Sequence, residues 1–287
     1  MEEMSLVEKM NLSGKRLSKG HTRIAEYIEK HYDKAVFMTA SVLGKNVGVS
    51  ESTVVRFAVA LGYEGYPEMQ ESLQELVRHR LTTAQRFEMS TDIKRSDVLN
   101  RVLKTDMSNI RNTIDTVNTD DFLRVVDSIL KGKTIYVLGL RSAAPLSQFF
   151  GYYLHFIFDD VRVVATGSTD VFESIARISK DDVLIGISFP RYSARTLEAM
   201  RYARDNGATV IGLSDGPMSP LVSQADLCLC AKTDMASFVD SLVAPLAVIN
   251  ALLIALALEK KDELTRNFDR LEEIWDAYRV YTNKQES

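Results

Sequence analysis

The chain has 287 residues, which is long enough for about two domains. Hydrophobic residues make up 46% of the sequence and charged residues 26%, which is typical of a globular protein and excludes a disordered one. The net charge of −4 excludes binding to polyanions through bulk charge alone.

Basic residues are concentrated near the N-terminus. Between Lys15 and Arg56, eight basic residues stand against four acidic ones, a local charge of +4. This excess suits contact with DNA, although a solvated helical face has the same composition. The N-terminus lacks the segments of a signal peptide, and the longest apolar stretch falls short of the ~20 residues of a membrane span. We therefore expect a cytoplasmic protein.

Residues 39–61 predict two short helices joined by a tight turn. Val47-Gly48-Val49 supplies the turn, because Gly48 can adopt a positive φ, and Ser50 is placed to cap the second helix. Helical spacing predicts an apolar underside, which consists of Ala40, Leu43, Val49, Val54, Val55 and Leu61.

The first turns of the second helix carry exposed polar residues, and this is where a helix-turn-helix protein contacts base edges. Basic side chains such as Arg56 suit phosphate contact or guanine recognition. We predict DNA binding by Lys45, Ser50, Glu51, Ser52, Thr53 and Arg56. The open alternative is that this region is a protein–protein interaction module.

The chain is predicted to divide into two domains. Helices are predicted at about 19–32 and 67–80 on either side of the helix-turn-helix. Residues 82–95 are polar and lose the helical periodicity, so we expect a linker there. The predicted domains are thus a helix-turn-helix domain at 1–81 and a second domain at 96–287.

The second domain alternates apolar runs with helical stretches. Two helices are predicted between 96 and 130, and further helices at 145–158, 171–178, 194–206, 238–258 and 262–281. The strands are predicted at 134–138, 161–165, 183–187, 209–213 and 227–230. Near-continuous apolar strands alternating with helices predict an α/β domain with a five-stranded parallel sheet flanked by helices.

Three loops follow predicted strands, at 139–143, 188–196 and 214–220. Ligands of open parallel sheets bind beyond the carboxyl ends of the strands, and hydroxyls, arginines and helix N-termini suit an anion. We predict an effector site at Arg141, Ser142, Ser188, Arg191, Ser193 and Thr196. The alternative for Ser193 is that it only caps the next helix. The first loop has Arg141 where a second glycine would stand, so a dinucleotide is disfavoured, and we predict neither a cofactor nor a metal.

Several motifs resemble the RpiR family of bacterial transcriptional regulators, which join an N-terminal helix-turn-helix domain to a C-terminal sugar isomerase (SIS) domain. The resemblance rests on Met38–Leu43, Val49–Phe57, Leu61–Tyr63, Val137–Ser142, Ile187–Ser193 and Ala208–Asp215. It implies a regulator without catalytic residues, which binds a palindromic double-stranded operator as a homodimer or homotetramer and senses a phosphorylated sugar or another anion. The family's usual phosphate loop is Ser-x-Ser-Gly-x-Thr, and here Pro190 and Arg191 replace its inner Ser-Gly.

The alternative function is that of a SIS-type sugar-phosphate isomerase with an accessory helical domain. Such an enzyme needs a general base near the sugar carbon. The candidates are Glu173 and His155, neither of which lies in the three loops. His155 stands among Tyr153, Leu154, Phe156 and Ile157, which predicts a buried structural histidine.

Overall fold

The computed structural model describes residues 18–36, 38–78, 82–88, 93–165 and 170–281. The chain divides into two compact units, Met1–Asp92 and Ile93–Ser287. Lys15 and Arg16, which contribute to the predicted basic region, lie outside the described residues, as does part of the predicted linker.

The first unit is helical. Its described helices are α1 (Lys19–Lys30), α2 (Tyr32–Ala35), α3 (Ala40–Val47), α4 (Glu51–Ala60), α5 (Tyr66–Arg78) and α6 (Thr83–Glu88). Ser18, Thr39 and Ser50 cap α1, α3 and α4, each accepting a hydrogen bond from a backbone N–H of the first turn. The core of the unit brings together Ile24 and Ile28 of α1 with Leu43 of α3, Phe57 of α4 and Met69 of α5. Helix α6 lies inside the segment predicted as linker.

The predicted apolar underside of α4 needs one correction. Val55 is exposed, whereas Val54, Phe57 and Ala58 are buried. Successive residues of a helix are about 100° apart, so Val55 lies about 160° around the helix from Phe57 and cannot face the core when Phe57 does. The prediction that Val55 packs inside is therefore wrong, and Val55 lies on the outer face of α4.

The second unit is an α/β structure. Its helices are α7 (Val98–Thr116), α8 (Thr119–Lys131), α9 (Ala144–Ile157), α10 (Val171–Ile175), α11 (Ala194–Asp205), α12 (Val243–Glu259) and α13 (Lys261–Ala277). Its strands are β1 (Ile135–Gly139), β2 (Val161–Val164), β3 (Val183–Ile187), β4 (Thr209–Ser214) and β5 (Leu227–Cys230). All five strands pair in parallel in the order β2-β1-β3-β4-β5, which confirms the predicted sheet.

Both faces of the sheet are covered by helices. One core joins Ile135, Val137 and Ile185 of the strands to apolar residues of α8, α9 and α12. The other joins Tyr136 and Leu184, which alternate with them, to α10 and α11. Central strands buried on both faces explain why their sequences are continuous apolar runs.

The long apolar helix α12 begins at Val243, five residues later than predicted. The segment before it is held against α7 by the buried side chain of Asn109, which donates to Asp234 O at 2.8 Å and accepts from Asp234 N at 2.9 Å. Thr113 of α7 accepts from Lys232 N at 2.9 Å. These side chains satisfy backbone groups of the segment and tie it to α7.

Within the described residues, no single helix is long and apolar enough to cross a membrane. Helices α12 and α13 have the necessary length and composition only when taken together, and they are bent by 100° relative to each other.

Asp182 links two strands through buried hydrogen bonds. Its carboxylate accepts from Thr134 N at 3.1 Å and from the N–H and hydroxyl of Ser179, both at 2.8 Å. Burial disfavours the charged form, but the hydrogen bonds from Ser179 and Thr134 outweigh it, so the pKa of Asp182 is lowered.

Replacing Asp182 with alanine is expected to lower the free energy of unfolding by about 2–3 kcal/mol, because buried donors lose a charged acceptor. A lowered pKa stabilises the fold above the unfolded value of about 4 and loses that effect as the pH falls further, so the difference between the variant and the parent chain should shrink below about pH 4. Urea unfolding followed by the fluorescence of Trp275, the chain's one tryptophan, measures this. Exposed Asp181 provides the matched control, since Asp181→Ala should change stability by less than ~0.5 kcal/mol.

Candidate DNA-binding and effector sites

The turn between α3 and α4 is built on two glycines. Gly48 follows α3 with φ 73°, the left-handed conformation predicted for it. Gly44 lies inside α3, and a Cβ there would meet Val49 O at 2.8 Å. Only glycine therefore lets α3 approach the turn this closely.

Residues outside the turn hold it in place. The guanidinium of Arg23, on α1, donates to the backbone carbonyls of Val47 and Gly48 and so satisfies groups at the end of α3. The hydroxyl of Tyr66, on α5, donates to Met38 O at 2.6 Å, and burial raises the pKa of Tyr66 to about 12. Two helices therefore fix the position of the helix-turn-helix from either side.

Ser50 acts as the predicted cap of α4. Its Oγ accepts from Thr53 N at 3.3 Å and lies 2.9 Å from Ser52 Oγ and 2.8 Å from Thr53 Oγ1. The Ser50 hydroxyl, which we predict to contact DNA, thus also forms hydrogen bonds within the protein. Together with the hydroxyls of Ser52 and Thr53 it forms a cluster at the start of α4.

The structure gathers five of the six predicted DNA-contacting residues at the beginning of α4. Glu51, Ser52 and Arg56 are exposed, and Thr53 is half-buried. Arg56 Nε donates to Ser52 O at 3.2 Å, which leaves both terminal nitrogens of its guanidinium without a partner in the described part of the chain. The sixth residue, Lys45, is exposed on α3.

The three predicted effector loops begin side by side at the carboxyl ends of neighbouring strands. Gly139 at the end of β1 pairs with Ile187 of β3, and Ile187 pairs with Leu213 of β4. Strand β2 is added on one side of β1, and β3, β4 and β5 are added on the other, so the strand order reverses between β1 and β3. Open α/β sheets bind ligands at such a switch point. The sheet order therefore brings the three loops together.

The loop after β3 forms a chain of hydroxyls leading into α11. Ser188 is buried, and its Oγ accepts from Ser193 N at 3.1 Å. Ser193 caps α11 by accepting from Thr196 N at 3.3 Å. Thr196 is fully buried, and its Oγ1 has no hydrogen-bond partner among the described residues. A buried hydroxyl without a partner is unfavourable unless another group completes it.

The loops after β3 and β4 are joined by hydrogen bonds that the sequence analysis did not foresee. Ser214 Oγ donates to Ser188 O at 2.9 Å and lies 2.6 Å from Ser219 Oγ. Tyr192 OH donates to Asp215 Oδ1 at 2.8 Å. Ser214 ends β4 and Asp215 follows it, and their place just after the apolar run 209–213 was the one signal in the sequence that could have indicated these bonds.

Two arginines adopt left-handed backbone conformations beside these loops. Arg141, after β1, has φ 57°, and Arg191, after β3, has φ 64°. Both side chains are exposed, as is that of the predicted Ser142. Non-glycine residues in this conformation are strained and are concentrated at functional sites.

The two candidate bases for an isomerase lie elsewhere. Glu173 accepts from Asp170 N at 3.3 Å within a capping box at the start of α10. His155 is exposed on α9, so the prediction that it is a buried structural histidine is wrong. Its aromatic neighbours Tyr152 and Tyr153 are themselves exposed, which is why apolar sequence neighbours did not imply burial.

Comparison with known proteins gives a match for each unit. Residues 4–79 match the family described as "Helix-turn-helix domain, rpiR family", and residues 128–255 match the SIS domain. HexR, an HTH-type transcriptional regulator of Escherichia coli (strain K12), is 24% identical over 279 residues, which cover 94% of each chain.

Two solved structures have the same fold. The sugar isomerase domain of an RpiR transcription factor from Sphaerobacter thermophilus has a TM-score of 0.59 and 24% identity, covering 62% of this chain and 99% of that one. The Vibrio vulnificus NanR protein, complexed with ManNAc-6P, has a TM-score of 0.58 and 20% identity, covering 97% of this chain and 100% of that one.

The two units thus define a DNA-binding transcriptional regulator with a helix-turn-helix domain and a SIS domain. The chain belongs to the RpiR family of transcriptional regulators, as its motifs predicted.

Proposed function

We propose that a small anionic metabolite, a sugar phosphate above all, binds at the carboxyl edge of β1 and β3 and controls the affinity of α4 for its operator. The observation that carries this proposal is the hydroxyl chain of Ser188, Ser193 and Thr196 at the N-terminus of the twelve-residue helix α11, where Thr196 Oγ1 lacks a partner among the residues that the structure describes. Helix N-termini favour anions, and phosphate oxygens accept hydrogen bonds from hydroxyls. The ManNAc-6P bound by NanR belongs to the same chemical class.

The proposed contacts are the twelve residues predicted from the sequence. DNA is contacted by Lys45, Ser50, Glu51, Ser52, Thr53 and Arg56, and the effector by Arg141, Ser142, Ser188, Arg191, Ser193 and Thr196. We also propose the domain limits 1–81 and 96–287 with a linker between them, action in the cytoplasm, and a regulatory rather than an enzymatic role. Effector binding would bias operator binding by a coupling of ~1–3 kcal/mol, which is about 5- to 150-fold.

Operator binding by a homo-oligomer fits the exposed apolar faces of the second unit. Four side chains of α7 are more than half exposed, namely Leu99, Leu103, Met107 and Ile114. An apolar groove of about 300 Å³ lies between α7, α8 and α12. Two helix-turn-helix units of a dimer would enter successive major grooves of a palindromic operator, ~34 Å apart. Light scattering of the purified chain would give the number of copies.

Replacing both Ser188 and Ser193 with alanine is expected to abolish the effector response and leave operator binding intact, because these hydroxyls lie in the SIS domain. An operator recovered by selection from random-sequence DNA serves as the probe. Fluorescence anisotropy of this duplex, with and without a panel of sugar phosphates and sugar acids, measures the response. A double variant that still responds would contradict the assigned site.

The control is Asn118→Ala, since Asn118 caps α8 by accepting from two backbone N–H groups at 2.8 and 3.1 Å. It removes a cap of the same unit, at a cost of ~1 kcal/mol, and should preserve the response. Assays for isomerisation of hexose and pentose phosphates test the enzymatic alternative, and turnover by the purified chain would support that alternative.

A further inference from the structure

Helix α4 carries two exposed valines on its outer face. Val55 is 37% exposed and Val59 53% exposed, and they lie one turn apart. Single exposed apolar residues are ordinary on protein surfaces. These two are notable because they share the face of α4 that carries Ser52 and Arg56.

The four outer residues form one stripe along the helix. Ser52, Val55, Arg56 and Val59 have the spacing i, i+3, i+4 and i+7, and the buried residues Val54, Phe57 and Ala58 lie opposite. At 1.5 Å per residue, the stripe is about 10 Å long, which is comparable to the ~12 Å width of the major groove.

Charge favours DNA as the occupant of this face. The terminal nitrogens of Arg56 have no partner in the described part of the chain, and Lys45 on the preceding helix is also exposed. A stripe that combines a cation, a hydroxyl and two apolar side chains matches a groove that presents acceptors and methyl groups.

We propose that Val55 and Val59 read thymine by contact with its C5-methyl group, beside the base or phosphate bound by Arg56. Thymine alone presents a methyl group in the major groove, and valine offers only apolar atoms, so this contact distinguishes thymine from the other bases. The inference rests on the proposed function, in which α4 enters the major groove.

The test uses a duplex selected from random-sequence DNA with the full chain, and the same duplex with deoxyuridine in place of every thymidine. Deoxyuridine keeps the Watson–Crick and groove hydrogen-bonding groups and removes only the methyl. Affinity, measured by fluorescence anisotropy, should fall about fourfold for each contacted methyl.

Variants separate the contribution of each valine. Val55→Ala and Val59→Ala should bind the thymine duplex more weakly and lose sensitivity to the uracil substitution, because the partner of the methyl is gone. Val42 provides the matched control: it is 43% exposed on α3, and Val42→Ala should keep the full sensitivity. Circular dichroism verifies that each variant is folded, as expected for exposed positions.

Equal affinity of the parent chain for the two duplexes would overturn the inference while leaving DNA binding established. Valine variants that bind more weakly yet remain as sensitive to the uracil substitution as the parent chain would also overturn the inference. The valines would then contribute to binding by a contact other than one with the thymine methyl group. If no duplex is selected at all, the proposed function fails together with the inference.

Discussion

Replacing Arg56 with alanine is expected to weaken operator binding by ~1–3 kcal/mol, which is about 5- to 150-fold. Arg56 lies on the second turn of α4, and its Nε is bound to Ser52 O, so the guanidinium is oriented before DNA arrives. Its two terminal nitrogens can then donate in parallel to a guanine or to a phosphate. Electrophoretic mobility shift or anisotropy titrations with the selected duplex measure the loss.

Arg56→Lys distinguishes the two kinds of contact. Lysine keeps the charge but not the planar pair of donors, so it should restore most binding if Arg56 contacts a phosphate and little if Arg56 reads a guanine. In both cases the second unit should unfold as in the parent chain. Unchanged affinity of Arg56→Ala would mean that α4 does not present this residue to DNA.

Replacing Arg141 with glycine is expected to have two effects of opposite sign. The left-handed backbone costs a non-glycine residue ~1–2 kcal/mol, and glycine removes this strain. Glycine also loses more conformational entropy on folding, which costs ~0.5–1 kcal/mol. The variant should therefore be more stable than the parent chain by about 0.5–1 kcal/mol. The side chain of Arg141 has no hydrogen bond or ion pair within the described part of the chain, so the substitution removes neither. Effector affinity should fall about 10- to 150-fold, because an anion loses a charged donor.

Arg279 is the matched control for this experiment. It also has a left-handed backbone, with φ 51°, but it follows α13 rather than a strand of the sheet. Arg279→Gly should therefore raise stability by a similar amount and leave effector binding unchanged. Thermal unfolding with and without the effector measures both quantities. An Arg141→Gly variant that binds the effector as well as the parent chain would remove Arg141 from the proposed site.

Patterns carried by consecutive residues were predictable from the sequence. The central strands β1 and β3 are continuous apolar runs, since both faces of the sheet are covered, and the β3 and β5 limits were predicted to the residue. The cap at Ser50 and the turn at Gly48 depend only on neighbouring residues, so they too were foreseen.

Features that depend on distant parts of the chain were missed. The hydrogen bond between Tyr192 and Asp215 forms because β3 and β4 are neighbours in the sheet, and neither loop sequence indicates the strand order. The contact that ties Asp234 to α7 comes from Asn109, 125 residues earlier in the chain. Val55 was misplaced because in a ten-residue helix two adjacent valines fit the apolar spacing almost equally well until Phe57 decides the orientation.

The buried and exposed faces of α4 can therefore accept amino-acid substitutions independently of each other. Phe57, Val54 and the close approach at Gly44 hold the helix to the rest of its unit, and none of them lies on the stripe formed by Ser52, Val55, Arg56 and Val59. The stripe could be exchanged residue by residue without disturbing the scaffold beneath it. Paralogues, or engineered versions of this chain, could thus acquire new target sequences while keeping the same metabolite response.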